Sequence, residues 1–245
     1  MKTFRADLHV HTALSPCAAE DMTPPAIVQA ACESGMALIA ICDHNAAGNV
    51  AATQAAADGR LAVIAGIELT TAEEVHVLGL FPDPRRACAA ATEVAATLPL
   101  ADDAYYARFG PQRHMDASGT ITGLECRMLA VASGFDLSAA INLIHGHEGV
   151  AVAAHINRPS FSVVSQLGLF PTDAGFDAIE VFSAPGFPSN ATEFAKHGLP
   201  VLASSDSHFL GDVGSAFSVF EMKSPSFEEL VLAIRRVGGR SVRCA

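Results

Sequence analysis

Basic side chains are scarce in this sequence. Fifteen lysines and arginines stand against 26 aspartates and glutamates, giving a formal net charge of −11 and a pI near 5.2. So acidic a chain is poorly suited to non-specific binding of nucleic acid or of an anionic membrane. Charge of either sign is sparse, at 17% of residues against 50% hydrophobic, which argues against disorder and supplies a sizeable core. No run of about 18 apolar residues occurs, so no transmembrane helix is expected. Met1-Lys2-Thr3-Phe4 enters a strand pattern directly, so no signal peptide is expected either. The six cysteines, at 17, 32, 42, 88, 126 and 244, form no C-x-x-C pair and point to a reducing cytoplasm rather than a disulfide framework. No repeat, low-complexity tract or linker interrupts the chain, and one domain over 1–245 is expected. Tryptophan is absent and tyrosine occurs twice, whereas histidine occurs ten times. The places of those histidines carry the rest of the reading.

The chain opens on Arg5-Ala6-Asp7-Leu8-His9-Val10-His11-Thr12. Alternate side chains of an extended segment share a face, so His9 and His11 can reach one ion or two adjacent ions. Alone, such a pair is as readily structural as functional. Beyond a loop through Cys17, Glu20 and Asp21, Thr23 as N-cap and Pro24-Pro25 predict a helix from about 24 to Gly35. Apolar runs at 37–42 and 61–65 read as strands buried on both faces, separated by a helix over 48–58; 75–81 reads as a further strand. Residues 84–120 are the least regular segment, an Ala-rich helix over 84–97 leading into a loop with Arg113 and His114. Helices are predicted over 123–133 and 137–146. Strands follow at 150–154, 177–182, 199–203 and 215–222, with helices near 189–197 and 226–237 and a terminal strand at 241–242.

Repeated βα units imply a parallel sheet, open or closed into a barrel, whose strand ends converge on one rim. Five of these ends are chemically loaded: His9/His11, Asp43/His44, Glu68, His155, and Asp206/His208. One histidine at a strand end is commonly a satisfied loop residue; five such ends together predict a metal basin. Imidazoles outnumber carboxylates, which favours Zn, Mn or Fe over Mg or Ca. One ion that keeps room for water rarely takes more than about four protein ligands, so this set implies two or three divalent ions. Three such ions, offset by Glu68 and Asp206, leave a local excess of about +4 that attracts an anionic phosphate within an acidic protein. Paired ions can clamp both oxygens of a phosphoester displacement and lower the pKa of bound water, so hydrolysis is the expected reaction.

The series Asp7-Leu8-His9-Val10-His11-Thr12, Cys42-Asp43-His44-Asn45, Gly66-Ile67-Glu68, Ala154-His155 and Ser205-Asp206-Ser207-His208 closely resembles the PHP (polymerase and histidinol phosphatase) family, in the family's order. The resemblance implies an α/β fold, a distorted TIM-like (β/α)7 barrel with its metal site at the carboxyl ends of the strands, and phosphoesterase chemistry. It further implies that His9, His11, Glu68 and Asp206 hold one ion. Glu68 would bridge to a second ion on His155, with His76 as a further ligand, and His44 and His208 would hold a third. Asp7 and Asp43 are expected to orient histidines through their ring N–H groups. Relatives often place an Asp or His in the loop after the first pair; here that stretch offers Ser15-Pro16-Cys17, with Glu20 and Asp21 beyond. Cys17 reads equally as a thiolate ligand and as an inert thiol.

The expected mechanism is attack of metal-bound hydroxide on a metal-bound phosphate, with Asp206 and His208 as the catalytic residues. Arg158 is the candidate phosphate-gripping residue, with a loop-capping role as the alternative. His145, His147 and His197 read as structural or surface residues, and no G-x-S-x-G elbow frames Ser204, Ser205 or Ser207. The expected substrate is a small nucleotide or sugar phosphate. The alternatives are an exonuclease-type phosphodiesterase, a non-catalytic metal-binding regulatory protein, or hydrolysis of an amide or lactone by the same site.

Overall fold

A computed structural model describes residues 1–183 and 191–244. The first half runs β1 (Lys2–Val10), α1 (Pro24–Glu33), β2 (Leu38–Ile41), α2 (Val50–Ala57), β3 (Ala62–Thr70), β4 (His76–Phe81) and α3 (Pro84–Ala95). An excursion follows with α4 (Asp103–Phe109), β5 (Arg113–Met115) and β6 (Ile121–Leu124). The second half runs α5 (Leu137–Gly146), β7 (Val150–Ala153), α6 (Val163–Leu167), β8 (Ala178–Phe182), α7 (Ala191–Phe194), β9 (Val201–Ser204), β10 (Ser218–Met222), α8 (Phe227–Ile234) and β11 (Ser241–Cys244). Local sequence explains several helix starts. Asp83, Asp102, Asp136 and Ser226 each accept backbone N–H groups of the first turn of α3, α4, α5 and α8.

The main sheet has the order β11-β10-β1-β2-β3-β4-β7-β8-β9. The chain after β9 returns to the end of β1: His11 N–H donates to the Ser207 carbonyl at 3.0 Å, and Ser207 N–H to that of His9 at 3.2 Å. Strands β1–β4 and β7–β9 therefore form the distorted seven-stranded barrel that the family resemblance implies, with β10 and β11 added outside on β1. One cluster of the core packs the strands against α1, α2, α3 and α5; the other lies among the strands themselves and includes α8. Gly66 of β3 is needed for close approach, since a Cβ there would meet Cys42 Sγ at 2.6 Å and the Ile41 carbonyl at 2.9 Å.

The barrel departs from a purely parallel one at β4. It pairs antiparallel with β3 and with β7, because the five residues between Thr70 and His76 are too few for a helical crossover. His76 consequently begins its strand opposite Thr70 and lies at the same rim as the ends of its neighbours. The excursion also differs from expectation. Residues 121–124 form an antiparallel ribbon with 113–115 instead of starting a helix over 123–133. The predicted helix near 189–197 is present from 191 as a turn of α-helix and a turn of 3₁₀-helix; its first two residues lie outside the described residues, as does most of the Ser-Ala-Pro-Gly loop before it. No described helix is long and apolar enough to cross a membrane.

Candidate metal centre

Six segments deliver the rim residues. His9 and His11 end β1, His44 follows β2, Glu68 lies in β3, His76 opens β4, His155 follows β7, and Asp206 and His208 follow β9. His155 and Asp206 occupy positive φ, at 28° and 52°, so the chain turns sharply where it presents them. Five imidazoles surround the Glu68 carboxylate. His76 Nδ1, His155 Nε2 and His9 Nε2 lie 2.8, 3.0 and 3.3 Å from Oε1, and His44 Nδ1 and His11 Nε2 lie 2.9 and 3.4 Å from Oε2. Asp206 Oδ1 sits 3.4 Å from His9 Nε2 and 3.3 Å from His11 Nε2. Three groups have donor atoms within 4.8 Å of one another: His9/His11/Glu68/Asp206, His44/Glu68/His76, and His11/His44/His208.

This donor set fits transition-metal ions. Glu68 Oε2, although His44 Nδ1 lies 2.9 Å away, and His155 Nδ1 are buried without a partner in hydrogen-bonding geometry, a costly state for polar atoms. His9 Nε2 and His11 Nε2 face each other at 3.1 Å, two ring nitrogens that both point into the basin. Protons alone satisfy such a cluster only by dividing it. Burial works against a charged His9, yet Glu180, Asp206 and Glu68 hold its pKa well above the ordinary value. Burial, with the neighbouring His208, drives His11 well below it, and burial lowers His76 to about 4. His44 and His208 are raised against the effect of burial, His44 first by Glu68 and His208 first by Cys17. Burial would raise Glu68 and Asp206, but the surrounding imidazoles hold both below the carboxylate range. Cations at the centre would relieve this arrangement.

Behind the basin, partners fix which ring nitrogen faces inward. Glu180 takes His9 Nδ1 at 3.1 Å and the His155 backbone N–H at 2.9 Å. Ser15 Oγ donates to Asp43 at 2.7 Å and lies 2.9 Å from His11 Nδ1, so it accepts the proton there. His9 and His11 are thereby left with Nε2 lone pairs toward the centre. Glu180 was not singled out by sequence reading; its signal was a single carboxylate inside the apolar strand 178–182. Asp7 and Asp43 do not touch an imidazole as expected. Asp43 accepts from Thr12 N and Oγ1 and acts on His11 through Ser15. Asp7 accepts from Ser205 and Gly214 and fixes the loop that carries Asp206.

Arg158 pairs with Asp206 at the mouth of the basin. Cys17 Sγ lies 3.2 Å from His44 Nε2; burial would raise its pKa, but His208 and His44 bring it down to about 6. Glu20 is instead paired with Arg113 at 2.7 Å, and neither Glu20 nor Asp21 joins a donor group. His145 pairs with Asp177, His147 with Glu93, and His197 packs on Phe170, all away from the basin. His114 is paired with Glu125.

An imidazole and carboxylate basin at the carboxyl rim of a seven-stranded barrel is the layout of a metal-dependent hydrolase. The chain belongs to the PHP domain family, which matches residues 7–148, more than half its length; residues 190–237 match the PHP-associated C-terminal family. A 3′,5′-nucleoside bisphosphate phosphatase of Chromobacterium violaceum is 27% identical, over 94% of this chain and 98% of its own. The lesion-specific endonuclease Q of Pyrococcus furiosus shares the fold, with a TM-score of 0.72 and 21% identity over 98% of this chain; the chain spans 58% of that protein. A protein of Bifidobacterium adolescentis assigned as a metal-dependent phosphoesterase also shares it, with a TM-score of 0.57 and 21% identity over 83% of this chain and 87% of that one.

Proposed function

We propose that this protein hydrolyses a small organic phosphate ester at two or three transition-metal ions held in the rim basin, with residues 1–245 acting as one catalytic domain. As a PHP-family enzyme it is a metal-dependent phosphoric ester hydrolase. The observation that carries the site assignment is Glu68, ringed by five imidazoles and with a buried oxygen lacking a hydrogen-bond partner. His9, His11, Glu68 and Asp206 would hold one ion, His44, His76, His155 and Glu68 a second, and His11, His44 and His208 a third. Zn, Mn or Fe bound there supplies Lewis acidity toward phosphoryl oxygens and acidifies bound water.

The chain's own groups do the rest. Arg158 reaches the basin mouth beside Asp206 and presents its guanidinium fork to a phosphate. Asp206 holds that fork in place. The His208 ring is fixed through its Nδ1 donation to the Asp206 carbonyl, leaving Nε2 for an ion or for the proton that the leaving oxygen requires. Glu180 and the Ser15–Asp43 pair keep His9 and His11 in the tautomer that offers Nε2.

Acidic composition does not by itself remove nucleic acid from the substrate list, since the same fold serves a lesion-specific endonuclease that takes a duplex substrate. The test is a panel of nucleoside monophosphates, sugar phosphates, aryl phosphates and short oligonucleotides, assayed with Mn or Zn. Phosphate release from the small esters is expected. Cleavage of oligonucleotides alone would favour the nuclease reading, and silence at full metal loading a non-catalytic one.

A further inference from the structure

We infer that a cavity beside the metal basin seats an aromatic ring of the substrate against Phe161, so that the preferred ester is the monophosphate of a nucleoside or aryl alcohol. The inference rests on the phosphoesterase reading above. Two cavities meet at the rim. The inner one, about 230 Å³, is bounded by the candidate ligands and Arg158. The outer one, about 290 Å³, shares Cys17, His44, His76 and Phe161 with it. A phosphoryl group in the inner cavity therefore has its ester substituent directed to the outer one.

The outer cavity is built for a flat apolar group. Phe161 stacks on His76 with ring centroids 4.7 Å apart and planes 20° from parallel, yet 41% of the residue is exposed. Its backbone is left-handed, at φ 57°, and its carbonyl accepts the His76 N–H at 2.8 Å. Core packing does not account for a strained, exposed phenylalanine clamped to a residue of the centre; such strain gathers at ligand clamps. Phe109 and the stretch Ala130-Val131-Ala132 add further apolar lining. Aromatic rings stack favourably on such faces.

Charge narrows the choice. Among the described residues, Arg158 is the only lysine or arginine lining either cavity, and it serves the inner one. Arg108 lies over the Phe109 ring at 5.1 Å but lines neither, and the sequence 184–190 contains no basic residue. Beside Cys17, which faces His44, the outer cavity carries the Glu74 carboxylate. A second phosphate there would meet a carboxylate, whereas an amino-bearing heterocycle would find an acceptor.

The test uses the metal-loaded full chain with AMP, phenyl phosphate, glycerol phosphate and a nucleoside 3′,5′-bisphosphate, and measures adenosine binding by titration calorimetry. AMP and phenyl phosphate should exceed glycerol phosphate and the bisphosphate in kcat/KM. Phe161→Ala should cut the AMP-to-glycerol-phosphate ratio, and weaken adenosine binding, about tenfold. Phe161→Tyr should restore both, with metal content unchanged in each variant. A ratio indifferent to Phe161, absence of adenosine binding, or preference for the bisphosphate would overturn the inference. Phe161-dependent adenosine binding without turnover of any ester would uphold the ring site and sink the phosphoesterase reading alone.

Discussion

Two pairs of buried carboxylates lie within the same rim and live in opposite surroundings. Asp7 and Asp43 are closed: backbone N–H groups and hydroxyls of Ser205, Gly214, Thr12 and Ser15 donate to them. Glu68 and Asp206 are ringed by imidazoles instead, and one Glu68 oxygen has no hydrogen-bond partner. A closed carboxylate is a structural anchor, because each oxygen is already used. An open one among lone-pair nitrogens is complementary to a cation. Burial alone does not distinguish the two; the type of neighbour does.

Mutations that exchange these roles should give effects of different kind and size. Glu68→Gln, on the open side, is expected to lower phosphatase turnover by more than about a hundredfold and to lower metal content, with the circular dichroism spectrum retained. Near wild-type activity would break the distinction. Glu180→Gln should weaken metal binding by roughly 10–100-fold, since it loosens the His9 ring and the backbone of His155 without supplying a ligand. Competition with a chelator reads this directly.

Asp43→Ala, on the closed side, should appear first as lost stability, about 1–3 kcal/mol in urea unfolding of the metal-free protein, from buried donors left unsatisfied. Asp7 gives a pH signature. Burial raises its pKa from 3.8 to about 6 despite its donors. The folded state thus holds the proton to higher pH than the unfolded state, and this group's contribution to stability is lost as pH rises from about 4 to about 6. Asp7→Asn should carry a fixed cost from its amide meeting N–H donors, but remove that slope, on the order of 3 kcal/mol across the window. Parallel stability–pH curves for the two proteins would show that Asp7 does not titrate there. The exposed pair Arg86–Glu148 sets the lower bound, and Glu148→Ala should shift stability by less than about 0.5 kcal/mol.

The strands were legible because short apolar runs such as 37–42 and 150–154 carry the pattern of strands buried on both faces, with polar ends that fall on one rim; closure into a barrel was legible only through the family resemblance. His9, His11, His44, Glu68, His155, Asp206 and His208 were placed together on that argument, and His76 by resemblance; the fold brings all eight to one basin. The antiparallel entry of β4 was written in the short 71–75 connection but masked by expectation of repeated βα units. The helix expected over 123–133 fails at its start, since Ile121-Thr122-Gly123-Leu124 has little periodicity and depends on pairing with 113–115. Glu180 and Ser15 were missed for another reason. Each acts across the barrel or through a neighbour, and sequence gives no distance between residue 9 and residue 180. Phe161 was equally hidden, because only the folded chain shows a phenylalanine left exposed beside a histidine.

The central claim is that the open carboxylates and their imidazoles hold a metal cluster. Its most direct test is the metal content, by mass spectrometry, of protein purified without chelator, beside the Glu68→Gln variant. About two to three transition-metal equivalents per chain are predicted for the wild type, falling in the variant. Fewer than about one equivalent in active wild-type protein would contradict the account.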